Sequence, residues 1–424
     1  DLHTAYRRQR QMCIRDSRKC YFICRRKKIT DKVDEEFSML RKFKVRNYKN
    51  FKETLEFDFT KVSGYAFNRE CVNSEIISKC IIYGRNATGK TNLGKAFSDL
   101  TEIVEGRIHL GRNERILNAD SDEDKAVFSY EFQFGADYLS YEYKKNERNE
   151  LCEEKLEVNN ICVFSVDFET GTINDLNLSI INAETIQIEK YIEIMRSNLN
   201  NIEDEDNGRI PFIRYILSNA LLPIGSALLQ FDEYVRRMRF FSGAQQYAMN
   251  AHSRILEAFS DYLGEEAHLR DFEQFLNAMG IACKLKTVQT IDGHYELYFD
   301  YQKLVPFYDN TSSGTKSLMT FYRRYIMSMK NPSFIFMDEF DAFYHYEMAD
   351  KLVQYLKTRY TDCQVVLTTH NTNLMTNHLM RPDCLFILSR DGRLTALCDA
   401  TERELREGHN LEKLYIGGEF ERYE

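Results

Sequence analysis

Residues 81–92 read Ile-Ile-Tyr-Gly-Arg-Asn-Ala-Thr-Gly-Lys-Thr-Asn. Two aliphatics and a tyrosine run into Gly84, and Gly89, Lys90 and Thr91 complete the pattern G-x-x-x-x-G-K-[ST] of a phosphate-binding P-loop. The flanks suit it. Cys80–Tyr83 reads as a buried strand, and Leu93, Ala96, Phe97, Leu100, Ile103 and Val104 recur at three- and four-residue spacing, as one face of a helix. A strand, a glycine loop and a helix start aim backbone N–H groups at a phosphate. Gly84, Arg85, Asn86, Ala87, Thr88, Gly89, Lys90, Thr91 and Asn92 are therefore the expected nucleotide-binding residues. Lys90 is expected to reach the β- and γ-phosphates, and the Thr91 hydroxyl to ligate Mg²⁺.

Working outward, Phe334–Glu339 reads Phe-Ile-Phe-Met-Asp-Glu, four apolar residues ending in two carboxylates. This is expected to be a Walker B strand beside the P-loop strand, with Asp338 holding the Mg²⁺ hydration shell and Glu339 polarising the attacking water. Asp341 follows two residues on. Val365–His370 is another apolar strand, separated from the acids by one helix, Tyr344–Lys357. In a parallel sheet both strand ends face one edge, which makes His370 a candidate sensor of the γ-phosphate. Upstream, Asn310–Ser317 opens a helix that runs through Leu318, Met319, Phe321, Tyr322, Ile326 and Met327. Ser and Thr there are ordinary N-caps, and the stretch gains weight only from its neighbours.

Composition sets the bounds. The chain has 424 residues, 43% hydrophobic and 29% charged, as in a soluble globular protein. No run of 18 apolar residues occurs, so no transmembrane helix and no membrane partner are expected. Eleven cysteines lack a C-x-x-C pair, which speaks against zinc. An odd count without an export signal reads as reduced, cytoplasmic thiols. The first 38 residues carry 11 Lys/Arg against 6 Asp/Glu, whereas the whole chain is −8, leaving residues 39–424 at −13. A transit peptide or a basic nucleic-acid arm are the functional readings of that leader. Residues 8–17, Arg-Gln-Arg-Gln-Met-Cys-Ile-Arg-Asp-Ser, instead resemble translated sequencing-adapter text, so residues 1–38 are expected to be a non-native or disordered leader with the native start near Met39.

The expected organisation is a head in two halves. Residues 39–125 hold the P-loop, with two strands before it around Leu40–Val45 and Thr54–Phe59. Residues 126–300 form an α+β insertion. Lys125–Lys145 predicts a hairpin turning near Gly135-Ala136-Asp137, and Leu156–Phe168 more strand. Ile186–Met195 predicts a helix, and Asn198–Gly208 an acidic, Asn-rich loop. Phe212–Phe241, Ala244–Leu263 and Leu269–Met279 read as helical, and Ala282–Val288 and Tyr295–Tyr301 as strands. No sustained heptads appear. Residues 301–424 complete the head. The basic residues Arg41, Lys42, Lys44 and Arg46 read as the solvated face of a half-buried strand, with DNA phosphates as the sharper alternative.

The order of P-loop, insertion, Ser-Ser-Gly-Thr, helix, Asp-Glu, helix, strand and His resembles the ABC-type ATPase heads of the SMC, RecF and OLD-like class. It is most similar to the stand-alone AAA-family ATPases of bacterial abortive-infection and anti-phage loci. The matching residues are Arg46–Phe51, Gly84–Asn92, Ser312–Lys316, Asp338–Asp341, Thr368–Asn371 and the tail Gly408–Phe420. The resemblance implies a P-loop NTPase fold with a mixed sheet, and an ATPase with ATP and Mg²⁺ as its ligands. It further implies two heads paired head-to-tail around two ATP molecules, so that turnover is slow and gated by dimerisation. Gly84–Thr91, Asp338, Glu339, His370 and Lys90 then act within one chain. The signature Ser312, Ser313, Gly314 and Thr315 arrives from the other, and Asp341 sits at the D-loop between them. Two departures stand out. The usual signature is Leu-Ser-Gly-Gly-Gln, and the glutamine that couples an insertion to Mg²⁺ has no clear position, Gln133 being the candidate.

The implied role is a cytoplasmic sensor or scaffold, a homodimer or higher homo-oligomer controlling a separately encoded nuclease or toxin. No Toprim or HNH nuclease pattern is visible after His370. The alternative is a RecF-like DNA-repair ATPase on duplex DNA, which needs a continuous basic surface that the −13 core disfavours.

Overall fold

The P-loop strand lies fully buried in a six-stranded sheet whose order explains the site. A computed structural model describes residues 38–106, 115–200, 209–242 and 253–424, apart from positions 328, 330 and 343. The leader 1–37 therefore lies outside the described residues. In chain order the sheet contains β5 (Lys79–Tyr83), β11 (Arg239–Ser242), β15 (Phe334–Asp338), β16 (Gln364–Thr369), β17 (Leu385–Leu388) and β18 (Leu394–Ala396). Their spatial order is β11-β15-β16-β5-β17-β18, parallel except for the β17–β18 hairpin. The expected Walker B strand is thus not beside the P-loop strand, since β16 lies between them. The register pairs Thr369 with Tyr83 and Met337 with Leu367, so β5, β15 and β16 all end at one edge.

A second, seven-stranded antiparallel sheet has the order β10-β9-β8-β7-β6-β1-β2. Its strands are β1 (Ser38–Arg46), β2 (Leu55–Asp58), β6 (Ala126–Phe134), β7 (Asp137–Lys145), β8 (Leu151–Val158), β9 (Ile161–Asp167) and β10 (Thr172–Leu176). The β6–β7 hairpin turns at Gly135-Ala136, as read from the sequence. Leu156–Phe168 is itself a hairpin, turning at Asn159 and Asn160, whose φ of 51° and 64° suit asparagine in a tight turn. The boundary drawn at 125/126 falls inside this sheet, because β1 pairs with β6 along its whole length. Smaller sheets are formed by β3 (Val72–Asn73) with β4 (Ile76–Ile77), and by β12 (Leu285–Gln289), β13 (Tyr295–Asp300) and β14 (Leu304–Pro306).

The helices are α1 (Lys90–Glu105), α2 (Ile188–Asn200), α3 (Phe212–Asn219), α4 (Ala227–Arg236), α5 (Ser253–Leu263), α6 (Glu266–Ala278), α7 (Phe307–Asn310), α8 (Ser313–Phe321), α9 (Tyr346–Arg359) and α10 (Leu411–Ile416). Two of these correct the sequence reading. Asn198–Asn200 closes α2 rather than opening a loop, and residues 201–208 lie outside the described set. Phe212–Phe241 is not one helical run. Pro223, which has no N–H to donate, and Gly225, at φ 80°, sit between α3 and α4. Arg239–Ser242 then extends along β15, where sheet pairing overrides its helical pattern. Of Ala244–Leu263, α5 is helical and residues 244–252 are not described.

Helix α1 is clamped between the two large sheets. Phe97 packs against Phe43 of β1 with ring centroids 4.2 Å apart, and lies 5.1 Å from Phe334 and 5.8 Å from Phe336 of β15. A Cβ at Gly94 would come within 2.6 Å of the Phe336 ring, so only glycine lets helix and strand approach this closely. Phe97 is fully buried, and truncating such a side chain costs about 3–5 kcal/mol. Polar ties fasten the same joint. Tyr143 donates to Asp99 Oδ2 (2.8 Å), and Lys145 pairs with Asp99 Oδ1 (2.7 Å). Gln364 stitches the sheets together, accepting from Leu40 N at 2.8 Å and donating to Leu40 O at 2.8 Å. The P-loop helix therefore has one seat, and Ser38–Glu424 folds as a single unit.

Candidate nucleotide-binding site

Strand β5 delivers Tyr83 to the sheet edge, and the chain turns through Gly84–Gly89 into α1. Gly84 has no room for a side chain, since a Cβ would lie 2.5 Å from Thr88 Oγ1. Gly89 caps α1 at φ 103°, a conformation that favours glycine. Arg85, Asn86 and Ala87 are exposed, whereas Thr88 is buried and donates to Arg85 O at 3.0 Å. Lys90 is buried and folds back over the loop, donating to Gly84 O (2.8 Å) and Arg85 O (3.1 Å). Burial pulls its ammonium below the usual lysine range, against the carboxylates of Glu339, Asp338 and Asp341, which hold it up. The loop is a cradle of N–H groups with one cation across it, at a helix N-terminus.

The carboxylates meet this loop through β16. Thr91 Oγ1 donates to Asp338 Oδ2 at 2.6 Å, across the intervening strand. Asp338 Oδ1 accepts from Thr368 Oγ1 at 2.7 Å. The same Thr368 hydroxyl accepts from Glu339 N at 2.9 Å. Glu339 is half-buried and has φ 48°, a left-handed backbone that costs a non-glycine residue about 1–3 kcal/mol. Thr368 thus fixes the orientation of one acid and the strained backbone of the next. It is fully buried, and the sequence reading gave it no role. The hydroxyl and carboxylate oxygens of Thr91 and Asp338 are hard donors of the kind Mg²⁺ takes, so this pair fits the ion.

Replacing Thr368 by Val is expected to lower stability by about 2–4 kcal/mol, because a buried carboxylate and a backbone N–H each lose a partner. Thr368→Ser keeps the hydroxyl and is expected to recover most of the loss. Denaturant unfolding of both variants checks this; a Val variant as stable as the native chain would show that the bridge carries nothing.

Asn50 is a second residue the sequence reading missed. It donates from Nδ2 to Thr88 O (3.0 Å) and accepts at Oδ1 from Asn92 Nδ2 (2.7 Å), pinning loop to helix. A Cβ at Gly89 would strike this amide at 2.2 Å. Asn47, at φ 52°, holds the turn that presents Asn50 by donating to Glu123 O and Lys125 O at 2.8 and 3.0 Å. The signal lay in Arg46–Phe51, which the sequence reading used only for resemblance.

The remaining expected residues divide. His370 is exposed at the end of β16. With Asp341, Ala342, Tyr344, Asn371 and Thr372 it lines a cavity of about 400 Å³. Asp341 is buried, and among the described residues its Oδ1 has no hydrogen-bond partner. Ser312–Thr315 is not brought to the loop. Ser312 and Ser313 are exposed, and Ser312 caps α8 by accepting from Thr315 N at 3.2 Å. A Cβ built at Gly314 would meet only Ser312 Oγ, in ordinary contact at 3.9 Å. Gln133 is engaged elsewhere, by Arg41 (2.7 Å) and Gly135 O (3.2 Å).

Comparison with known proteins supplies the rest. No curated protein sequence matches this chain. Among solved structures it is similar to the SMC head domain from Thermotoga maritima, with 13% identity over 84% of this chain and 98% of that one and a TM-score of 0.43. It is also similar to the Pyrococcus furiosus Smc head domain with an extended coiled coil bound to the C-terminal domain of ScpA, with 13% identity over 85% and 96% and a TM-score of 0.44. A third similar structure is an SmcHead bound to the C-winged helix domain of ScpA, with 11% identity over 84% and 97% and a TM-score of 0.45. The family profile described as "AAA domain, putative AbiEii toxin, Type IV TA system" matches residues 80–376, from the P-loop strand to beyond His370. The profile spans well over half of the chain, so this chain, with its P-loop motif on a mixed α/β fold, belongs to that AAA-domain family.

Proposed function

We propose that this chain binds ATP with Mg²⁺ and hydrolyses it slowly, in a site completed by a second copy. The observation that supports this most is a division of the expected machinery. Lys90, Thr91, Asp338, Glu339 and His370 gather at one sheet edge, whereas Ser312 and Ser313 are exposed and Ser312–Thr315 is hydrogen-bonded to none of them. The start of α8, where the exposed Ser312 hydroxyl is bonded only to Thr315 among the described residues, suits a phosphate. Asp341, with a buried and unpartnered carboxylate oxygen, suits a face that closes on another surface.

In this reading Gly84–Thr91 cradles the phosphates and Lys90 leaves the Gly84 and Arg85 carbonyls for them. Thr91 and Asp338 hold Mg²⁺, which when bound neutralises phosphate charge. Glu339 polarises a water for attack on the γ-phosphorus, taking its proton as the bond to the β-phosphate oxygen breaks. His370 reads the γ-phosphate from the adjacent strand end, and Ser312, Ser313, Gly314 and Thr315 reach it from the second copy. Pairing sets the rate, so activity per chain is expected to rise with protein concentration and then level off. Constant activity per chain across the pairing range would refute the shared site.

For the cellular role, the support is the family match. We infer a cytoplasmic sensor or scaffold of an anti-phage defence system, as a homodimer or larger homo-oligomer, restraining a separately encoded effector. The duplex-DNA alternative gains no support from β1. Lys42 pairs with Asp58 (3.3 Å), Lys44 with Glu56 (3.5 Å) and Arg46 with Glu123 (3.2 Å), so the basic strand is largely neutralised by its neighbours. No described helix is long and apolar enough to cross a membrane.

A further inference from the structure

The tail Gly408–Phe420, distinctive in sequence but unused by the mechanism above, leads back to the phosphate loop. Asn377 anchors its start, donating from Nδ2 to the carbonyls of Arg406, Glu407 and His409 at 2.9, 3.1 and 3.1 Å. Asn410 caps α10 by accepting from Lys413 N at 2.8 Å. Helix α10 packs against Thr372–Leu374, the short turn that follows His370. Leu411 and Phe420 are buried, and Thr401 donates to Glu419. The chain then places the Glu424 carboxylate on the Arg85 guanidinium, with the Tyr415 hydroxyl joining the pair. The Glu424 side chain is only 11% exposed, although Arg85 is 63% exposed.

Arg85 is the second residue of the P-loop, so its charge is carried by the segment proposed to hold the phosphates. A guanidinium fork binds a carboxylate or a phosphate in the same geometry, but not both at once through the same N–H groups. A triphosphate on Gly84–Thr91 also sets several negative charges near Glu424, with like-charge repulsion across the loop. We propose that Asn410–Glu424 is a tethered anionic competitor of the nucleotide, in which Glu424 occupies Arg85 until phosphate displaces it. This rests on the reading that Gly84–Thr91 binds ATP. Tail docking and ATP binding are then antagonistic, and by linkage each weakens the other by one factor. Because the tail also covers Thr372–Leu374, its release frees the segment next to His370.

The pair is partly solvated, so the factor is modest, roughly 2–5-fold. The test is calorimetric titration of the full chain and of Glu424→Gln with ATP and Mg²⁺, at low and high salt. Glu424→Gln is expected to bind ATP roughly 2–5-fold more tightly at low salt, with the gain shrinking as salt screens the contact. In the native chain, ATP is expected to speed hydrogen exchange across residues 410–424. Equal or weaker binding by Glu424→Gln, or ATP-induced protection of 410–424, overturns the tail's role and leaves ATP binding intact. A folded native chain that binds no ATP overturns the nucleotide reading and this proposal with it.

Discussion

Replacing Glu339 by Gln is expected to cut ATP turnover by about 10²–10⁴-fold, the usual worth of a positioned base, while ATP still binds. Gln keeps the size and the backbone N–H that donates to Thr368 Oγ1. It leaves Asp338 with both its hydroxyl donors, Thr91 and Thr368. What it removes is a charged acceptor for the proton of the attacking water. Stability is expected to stay within about 0.5 kcal/mol, since Glu339 is half-buried and the strain of its left-handed backbone is common to both residues. Single-turnover kinetics with a thermal melt checks both halves. Unchanged turnover would remove Glu339 from the chemistry, and a large loss of stability would make its role structural.

Replacing Lys90 by Ala acts on binding instead. The ammonium crosses the loop at 2.8 Å from Gly84 O and 3.1 Å from Arg85 O, where phosphate oxygens are to be held. Losing a preorganised cation of this kind costs about 10²–10³-fold, expected here as weaker ATP affinity in calorimetry. Stability is expected to change far less. Burial already pushes the Lys90 ammonium below the usual lysine range, so folding keeps the charge at a cost, and deleting it relieves that cost. Wild-type affinity in Lys90→Ala would mean that the loop does not grip the phosphates.

The site was legible where the chemistry is local in sequence. Gly84–Thr91 is a strand, a loop and a helix start in one run, and the backbone needs only neighbours to build it. The acids at Asp338 and Glu339 and the strand end at His370 were legible for the same reason, and the parallel edge that gathers them followed from topology. Strand order was not. Nothing in Phe334–Glu339 says that β16 inserts between it and the P-loop strand, because edge-to-edge pairing is decided by the whole sheet. Thr368 and Asn50 stayed hidden on that account. Each works through partners 29 to 42 residues away, and a lone Thr in a strand or Asn in a turn carries no signature. Strand β11 was hidden by competition, since Arg239-Phe240-Phe241 continues a helical spacing but gains more from pairing with β15.

Light scattering of Glu339→Gln in ATP and Mg²⁺ tests the shared site most directly. This chain of 50.1 kDa is expected at about twice that mass when ATP is present, and at the single-chain mass without ATP or when Lys90→Ala is added. ATP bound at single-chain mass, or a doubled mass that ignores both nucleotide and Lys90, would contradict a site closed by a second copy.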